Sequence, residues 1–297
     1  MQRFTIRDIE NLTGIKAHTL RIWEQRYGFF TPQRKESRHR FYDNEDLKKL
    51  LRISFLYHNG WKVSRIAALT TEQVLLEVQQ SAMKEGSHTH LVGRLIEAAI
   101  DFDEPAFQDV LQEGIERAGF ENCIIEICYP YLKKIGMLWS TNHVIPAQEH
   151  FSSYLIQNRI IVETEMYTVQ QKPEIALICP EGEFHELPLL FINYLLRKNG
   201  WATLYLGPNI GREELKKIAA LPHIRYLYLH LLTNFTGYSC DDYLEDISRA
   251  LPVKQVLASG EGMAGVQRNF VNVRLLRTDQ QIYDFVRRAK SGVVHDS

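Results

Sequence analysis

The residues best placed to do chemistry lie in a short acidic loop, Cys179-Pro180-Glu181-Gly182-Glu183-Phe184-His185-Glu186. It offers one imidazole, His185, among three carboxylates. A neutral imidazole at such a loop can hold a metal through one ring nitrogen. A nearby carboxylate would take the other ring N–H and fix the tautomer. The loop lacks G-x-G-x-x-G, which disfavours a dinucleotide. The chain shows no Ser/His/Asp constellation and no activated nucleophile, so it does not read as an enzyme. The cysteines Cys123, Cys128, Cys179 and Cys240 form no C-x-x-C pair and no zinc spacing, and read as reduced thiols.

A second chemistry sits at the front. Pro32–Tyr42 packs Arg34, Lys35, Arg38, His39 and Arg40 with Phe41 and Tyr42 into a turn-rich stretch, which suits a β-hairpin wing that grips phosphates. Ahead of it, Ile6, Ile9 and Leu12 line one face of a helix capped by Thr5. Thr13-Gly14-Ile15 makes a turn, and Lys16–Tyr27 forms a second helix ended by Gly28. The second helix offers His18, Thr19, Arg21 and Arg26 to a groove, with Trp23 expected to pack the helix against the wing. Charge follows the same division. Residues 1–70 hold 14 Lys/Arg against 7 Asp/Glu, a net +7, and the other 227 hold 21 against 29, a net −8. A basic front end suggests a polyanionic partner.

The elements that must position these groups follow from periodicity. Residues 1–80 read as short helices with a basic loop, and Lys84–Thr89 as a linker. Helix-period apolar residues follow: Leu91, Leu95, Ala98 and Ala99; Phe107, Val110, Leu111 and Ile115; Ile124, Ile127, Tyr131, Ile135 and Leu138. They imply a four-helix bundle over 88–169. From 172 to 291, apolar runs alternate with helices. The runs are Ile175–Cys179, Thr203–Leu206, Tyr226–Leu229, Val253–Ala258 and Val271–Leu275. The helices are Leu187–Lys198, Arg212–Ala220, Asp241–Ala250 and Asp279–Arg288, with a short one at Met263–Asn269. Five β-α units predict an open five-stranded parallel sheet covered on both faces, with its site beyond the carboxyl ends of the strands.

The stretches Thr5-Ile6-Arg7-Asp8-Ile9, Leu20–Gly28 and Arg38-His39-Arg40-Phe41-Tyr42 with Asp46-Leu47 resemble the winged-helix domain of the MerR family of transcription regulators. That resemblance implies a dimer on a palindromic promoter. It places Arg21 and Tyr27 on the recognition helix and Arg34, Arg38, Arg40 and Tyr42 on the wing.

Glu183-Phe184-His185, Leu195–Trp201 and Tyr205–Asn209 resemble the start of a cobalamin-binding, Rossmann-like (flavodoxin-like) domain, where a histidine coordinates cobalt from below; His185 stands at that position. Trp139 followed after nine residues by Glu149-His150 is similar to the bundle of the light-responsive cobalamin repressors of the CarH type. There the tryptophan covers the upper face of the corrin and makes room for an adenosyl group. The same resemblance puts Thr233, Ser259, Gly260 and Gly262 near the nucleotide tail.

Departures from the pattern are visible. Pro188 stands where the family has glycine, Glu261 interrupts the Gly-Gly motif, and Ser140 replaces a histidine next to the tryptophan. The resulting expectation is a multidomain α and α/β chain: a winged helix-turn-helix (1–80), a four-helix bundle (88–169) and a five-stranded parallel sheet (172–291). It would bind double-stranded promoter DNA as a homo-dimer or tetramer under the control of cobalamin, most simply adenosylcobalamin. The departures keep open a degenerate, cobalamin-independent oligomerisation or protein-binding module. No apolar run approaches a membrane span and the start lacks a signal-peptide pattern, so a cytoplasmic location is expected.

Overall fold

The computed structural model describes residues 4–29, 33–34, 40–85, 88–140, 145–233, 239–252 and 254–287. The chain divides into two compact units, residues 1–155 and 156–297. Among the described residues no helix is long and apolar enough to cross a membrane.

The first unit opens with β1 (Phe4–Thr5) and α1 (Ile6–Thr13). Thr5 and Asp8 form a capping box: the Thr5 hydroxyl accepts from the Asp8 amide at 3.3 Å, and the Asp8 carboxylate accepts from the Thr5 amide at 2.7 Å. Gly14 ends α1 with φ +72, and its amide donates to the Glu10 carbonyl at 2.8 Å. Then come α2 (Ala17–Tyr27), β2 (Gln33–Arg34), β3 (Arg40–Tyr42), α3 (Asn44–His58), α4 (Val63–Ala67) and α5 (Thr71–Glu85). The strands pair antiparallel in the order β1-β3-β2, which makes the expected wing. Trp23 is buried edge-on to Tyr57 of α3, ring centroids 5.0 Å apart, and to Phe29, 5.9 Å away. It packs, though against α3 and Phe29 rather than against the wing strands expected to receive it.

The bundle follows as α6 (Thr89–Asp101), α7 (Glu104–Ala118), α8 (Phe120–Asn122), a π-helical stretch (Cys123–Cys128), α9 (Tyr129–Ser140) and α10 (Pro146–Glu165). The residues that set the helical period are its core: Leu91, Leu95, Phe107, Val110, Ile124, Ile127, Tyr131 and Ile135 are all buried. The π turn was not foreseen. It comes closest to α7 at Gly114, where a Cβ would lie 2.9 Å from both Cys123 Sγ and Ile127 Cδ1. The winged helix is fastened to the bundle by charge. Arg52 of α3 donates to both oxygens of Glu97 on α6, Nε at 3.0 Å, and Lys48 pairs with Asp101. Lys134 of α9 donates to the Leu12 carbonyl at 2.8 Å.

The second unit begins within α10 and continues with β4 (Ile175–Pro180), α11 (Leu187–Lys198), β5 (Thr203–Ile210), α12 (Arg212–Ala219), β6 (Tyr226–His230), α13 (Cys240–Ala250), β7 (Gln255–Ser259), β8 (Val273–Leu276) and α14 (Asp279–Arg287). All sheet pairs are parallel, in the order β5-β4-β6-β7-β8, so the first strand lies inside and the order reverses beside it. Every residue of β4 is buried, as an inner parallel strand requires. One expectation fails. Met263–Asn269 is not a helix; a single 3-10 turn covers Glu261–Met263. The chain is instead tied back at Asn272, whose amide donates to the Leu251 and Lys254 carbonyls at 2.8 and 3.0 Å, which delays β8 to Val273.

Gly260 holds φ +104, and a Cβ there would lie 2.1 Å from the Leu231 carbonyl oxygen. Gly265, by contrast, faces open space. Gly260→Ala should therefore cost about 3–5 kcal/mol, against well under 1 kcal/mol for Gly265→Ala. Thermal melts of the full chain followed by circular dichroism would register the difference as a large and a negligible fall in Tm.

Candidate functional site

The acidic loop leaves the carboxyl end of β4 and enters α11. Its organising group is the Glu183 carboxylate, which is fully buried. One oxygen accepts from the His185 amide at 2.8 Å and lies 2.7 Å from His185 Nδ1. The other accepts from the amides of Leu232 and Thr233 at 2.9 and 2.7 Å and from the Thr233 hydroxyl at 3.1 Å. Burial alone would raise the Glu183 pKa. The hydrogen bonds from His185 and the Thr233 amide, together with the imidazole's charge, outweigh it and hold the value at about 2. The carboxylate therefore stays ionised and takes the Nδ1 hydrogen, so that in the neutral ring the His185 lone pair lies on Nε2. The His185 side chain is half exposed. Among the described residues no group of three or more His, Cys, Asp or Glu is placed to hold a metal ion.

The loop is clamped from β5 as well. The Asn209 amide donates to the Glu183 carbonyl at 3.1 Å, and its side-chain oxygen accepts from the Gly182 amide at 2.9 Å. Asn209 does this from φ +59, a conformation that asparagine tolerates better than most residues. Of the other two loop carboxylates, Glu186 accepts from the Tyr205 hydroxyl at 2.8 Å and Glu181 is exposed. Pro188 sits in the first turn of α11, where the missing amide hydrogen does no harm.

Thus Glu183, His185 and Thr233 come together, and Ser259, Gly260 and Gly262 do something else. The Ser259 hydroxyl is buried between the Tyr228 hydroxyl at 2.9 Å and His230 Nδ1 at 3.0 Å. Gly260 and Gly262 make room for the backbone of Leu231, whose carbonyl accepts from the Gly262 amide at 2.9 Å. In the bundle, Glu149 and His150 lie in the opening turns of α10, 3.6 Å apart across the pair. Trp139 and Ser140 belong to α9, but their side chains lie outside the described residues, as does His143.

On α2, His18, Arg21 and Arg26 are exposed and Thr19 and Tyr27 half-buried. The Thr19 hydroxyl lies 3.3 Å from His18 Nε2, and the Arg26 guanidinium sits over the Tyr27 ring at 5.6 Å. Tyr42 is different. It is only 1% exposed, paired with Phe4 across the small sheet, and its ring serves the core rather than a DNA-facing surface. Arg38 lies outside the described residues, as do the side chains of Arg34 and Arg40, whose backbones form the wing strands.

Sequence reasoning missed Asn209, Tyr228 and His230. Nothing in a bare Tyr-Leu-His run marks a strand end as a polar pocket. His230 is buried, and its Nε2 has no partner among the described residues. Burial pushes its pKa from the usual 6.5 to about 4, against a smaller upward pull from Glu183. The unfolded chain thus gains a proton as pH falls below 6.5 while the folded chain stays neutral until about 4. Stability contributed at His230 is full above that window and is lost as pH falls through it, by about 3 kcal/mol in all. Urea unfolding between pH 4 and 6.5 should show a shallower acid-side loss in His230→Gln than in the parent.

Residues 4–73 match the family described as MerR HTH family regulatory protein, and residues 91–162 match the B12 binding domain. The chain is 25% identical over 247 residues to the HTH-type transcriptional repressor CarH of Myxococcus xanthus, covering 81% of this chain and 83% of that protein. It is 27% identical over 261 residues to the repressor CarA of the same organism, covering 86% of each. Among solved structures it resembles the Methanosarcina barkeri monomethylamine corrinoid protein, with a TM-score of 0.52 at 14% identity over 68% of this chain and 99% of that one, a likeness of fold. The winged helix, the helical bundle and the five-stranded parallel sheet therefore stand in one order, and the chain carries a MerR-type helix-turn-helix domain followed by a B12-binding domain.

Proposed function

We propose that the chain binds cobalamin with His185 as the lower nitrogen ligand of cobalt, and that the bound cofactor governs assembly and promoter affinity. The observation that carries this reading is the buried Glu183 carboxylate on His185 Nδ1. Cobalamin would need a single nitrogen donor from the protein rather than a cluster of ligands. The half-exposed His185 imidazole, with Nδ1 held by Glu183, meets that demand. Bound cobalamin would supply a cobalt centre able to exchange a ligand.

The rest is the work of the chain's own residues. Glu183 fixes the tautomer and raises the donor strength of Nε2. Leu232 and Thr233 keep that carboxylate ionised and in place. Trp139, with Glu149 and His150 in the next helix, is assigned to the upper face, where an indole plane excludes water and favours the adenosyl form. Ser140 offers no imidazole, so capture of cobalt from that position is not part of the proposal. Among the residues assigned to the tail, Thr233 belongs with the cobalt end. Ser259, Gly260 and Gly262 shape the end of β7, the glycines by admitting Leu231. Control of DNA binding needs only that the cofactor favour one assembly, dimer or tetramer, over another.

Two sets of measurements test this. Full-length protein mixed with adenosylcobalamin in the dark should carry the corrin absorbance through gel filtration. Glu183→Gln should weaken binding about 10–100-fold, and His185→Ala should also remove the axial-nitrogen signature from the spectrum. Trp139→Ala should weaken adenosylcobalamin more than methylcobalamin. Absence of co-elution at micromolar ligand would overturn the assignment. On the DNA side, Arg38→Ala or Arg40→Ala should weaken binding to all duplexes alike and reduce the slope of log affinity against log salt by about 1. Unchanged slopes at both would place the wing elsewhere.

A further inference from the structure

Ile22 lies on α2 with its side chain 51% exposed. The buried side of α2 is supplied by Leu20 and Trp23, with Glu24 and Tyr27 half-buried beside them. The opposite strip, at spacings of three and four, is His18, Arg21, Ile22, Gln25 and Arg26, all exposed. Ile22 sits in the middle of that strip, one turn after His18 and one turn before Gln25 and Arg26. It buries little in the fold, and a β-branched residue is a weaker helix former than alanine, so neither packing nor propensity accounts for it. A single exposed apolar side chain elsewhere on a surface needs no account. Here it is enclosed by the side-chain types that read base edges: arginine for guanine and glutamine for adenine. The one apolar group that the major groove displays is the C5-methyl of thymine.

We propose that Ile22 is a specificity-determining residue that packs against the C5-methyl of a thymine in the major groove. The assignment rests on α2 being the reading helix. It adds a preference at one position that rests on the thymine methyl itself, which hydrogen-bonding side chains do not read. The contact is apolar, so it does not depend on salt, unlike the phosphate contacts of the wing.

The test separates the two levels. A duplex is selected from a random-sequence pool by the full-length chain, and each thymine is then replaced in turn by deoxyuridine, which keeps the hydrogen-bonding pattern and removes only the methyl. The parent should lose affinity about fourfold at one position, the worth of one buried methyl-sized group. Ile22→Ala should bind the thymine duplex more weakly by a similar factor and be indifferent to deoxyuridine at that position. Its circular dichroism should match the parent, because the site is exposed. Equal binding of every deoxyuridine duplex by the parent, or undiminished sensitivity in Ile22→Ala, would overturn the assignment to Ile22. If no duplex is enriched, or if Arg21→Ala binds the selected duplex as tightly as the parent, the reading helix itself is misassigned and the inference falls with it.

Discussion

A buried, ionised carboxylate is the constraint around which the second unit is arranged. Glu183 comes from the loop after β4, and its partners come from that loop and from the end of β6. A charge removed from water is tolerable only when its oxygens are saturated by donors, and here both are. The arrangement explains why two separated loops keep a common geometry at the switch point of the sheet. It also explains why the imidazole presents a defined nitrogen rather than either of two. Asn209 adds a third attachment, from β5, so the loop is held from the strands on both sides of β4.

Much of this was legible in the sequence because it depends on periodicity and on local turn chemistry. The apolar spacing of Leu91 to Leu138 gave the bundle core, and the alternation of short runs with helices gave the parallel sheet. The cap at Thr5 and the glycines at 14 and 28 mark the helix-turn-helix within a few residues of each end. The pairing of His185 with a neighbouring carboxylate was legible too, since two residues of separation bring them within reach.

What was not legible depends on contacts between distant segments. Tyr42 lies next to a basic run and reads as part of its surface, yet the pleat of β3 turns it inward opposite Phe4. His230 and Tyr228 look like ordinary strand residues until Ser259 of the neighbouring strand is placed between them. The short helix expected at Met263–Asn269 has the right apolar spacing, but Asn272 and the Asp241 carboxylate, which accepts from the Gln267 and Arg268 amides, capture that segment first. The π turn at Cys123–Cys128 adds a residue to a helix without disturbing its apolar face, so periodicity alone passes over it.

The fastening of α3 to α6 has a mechanical meaning. Arg52 meets Glu97 with two parallel donors, a geometry that resists twisting as well as separation. The same α3 carries Tyr57, against which the indole of α2 rests. One helix, α3, therefore joins the orientation of α6 in the bundle to that of α2, so the two are set by a shared strut as a door is set by its hinge post.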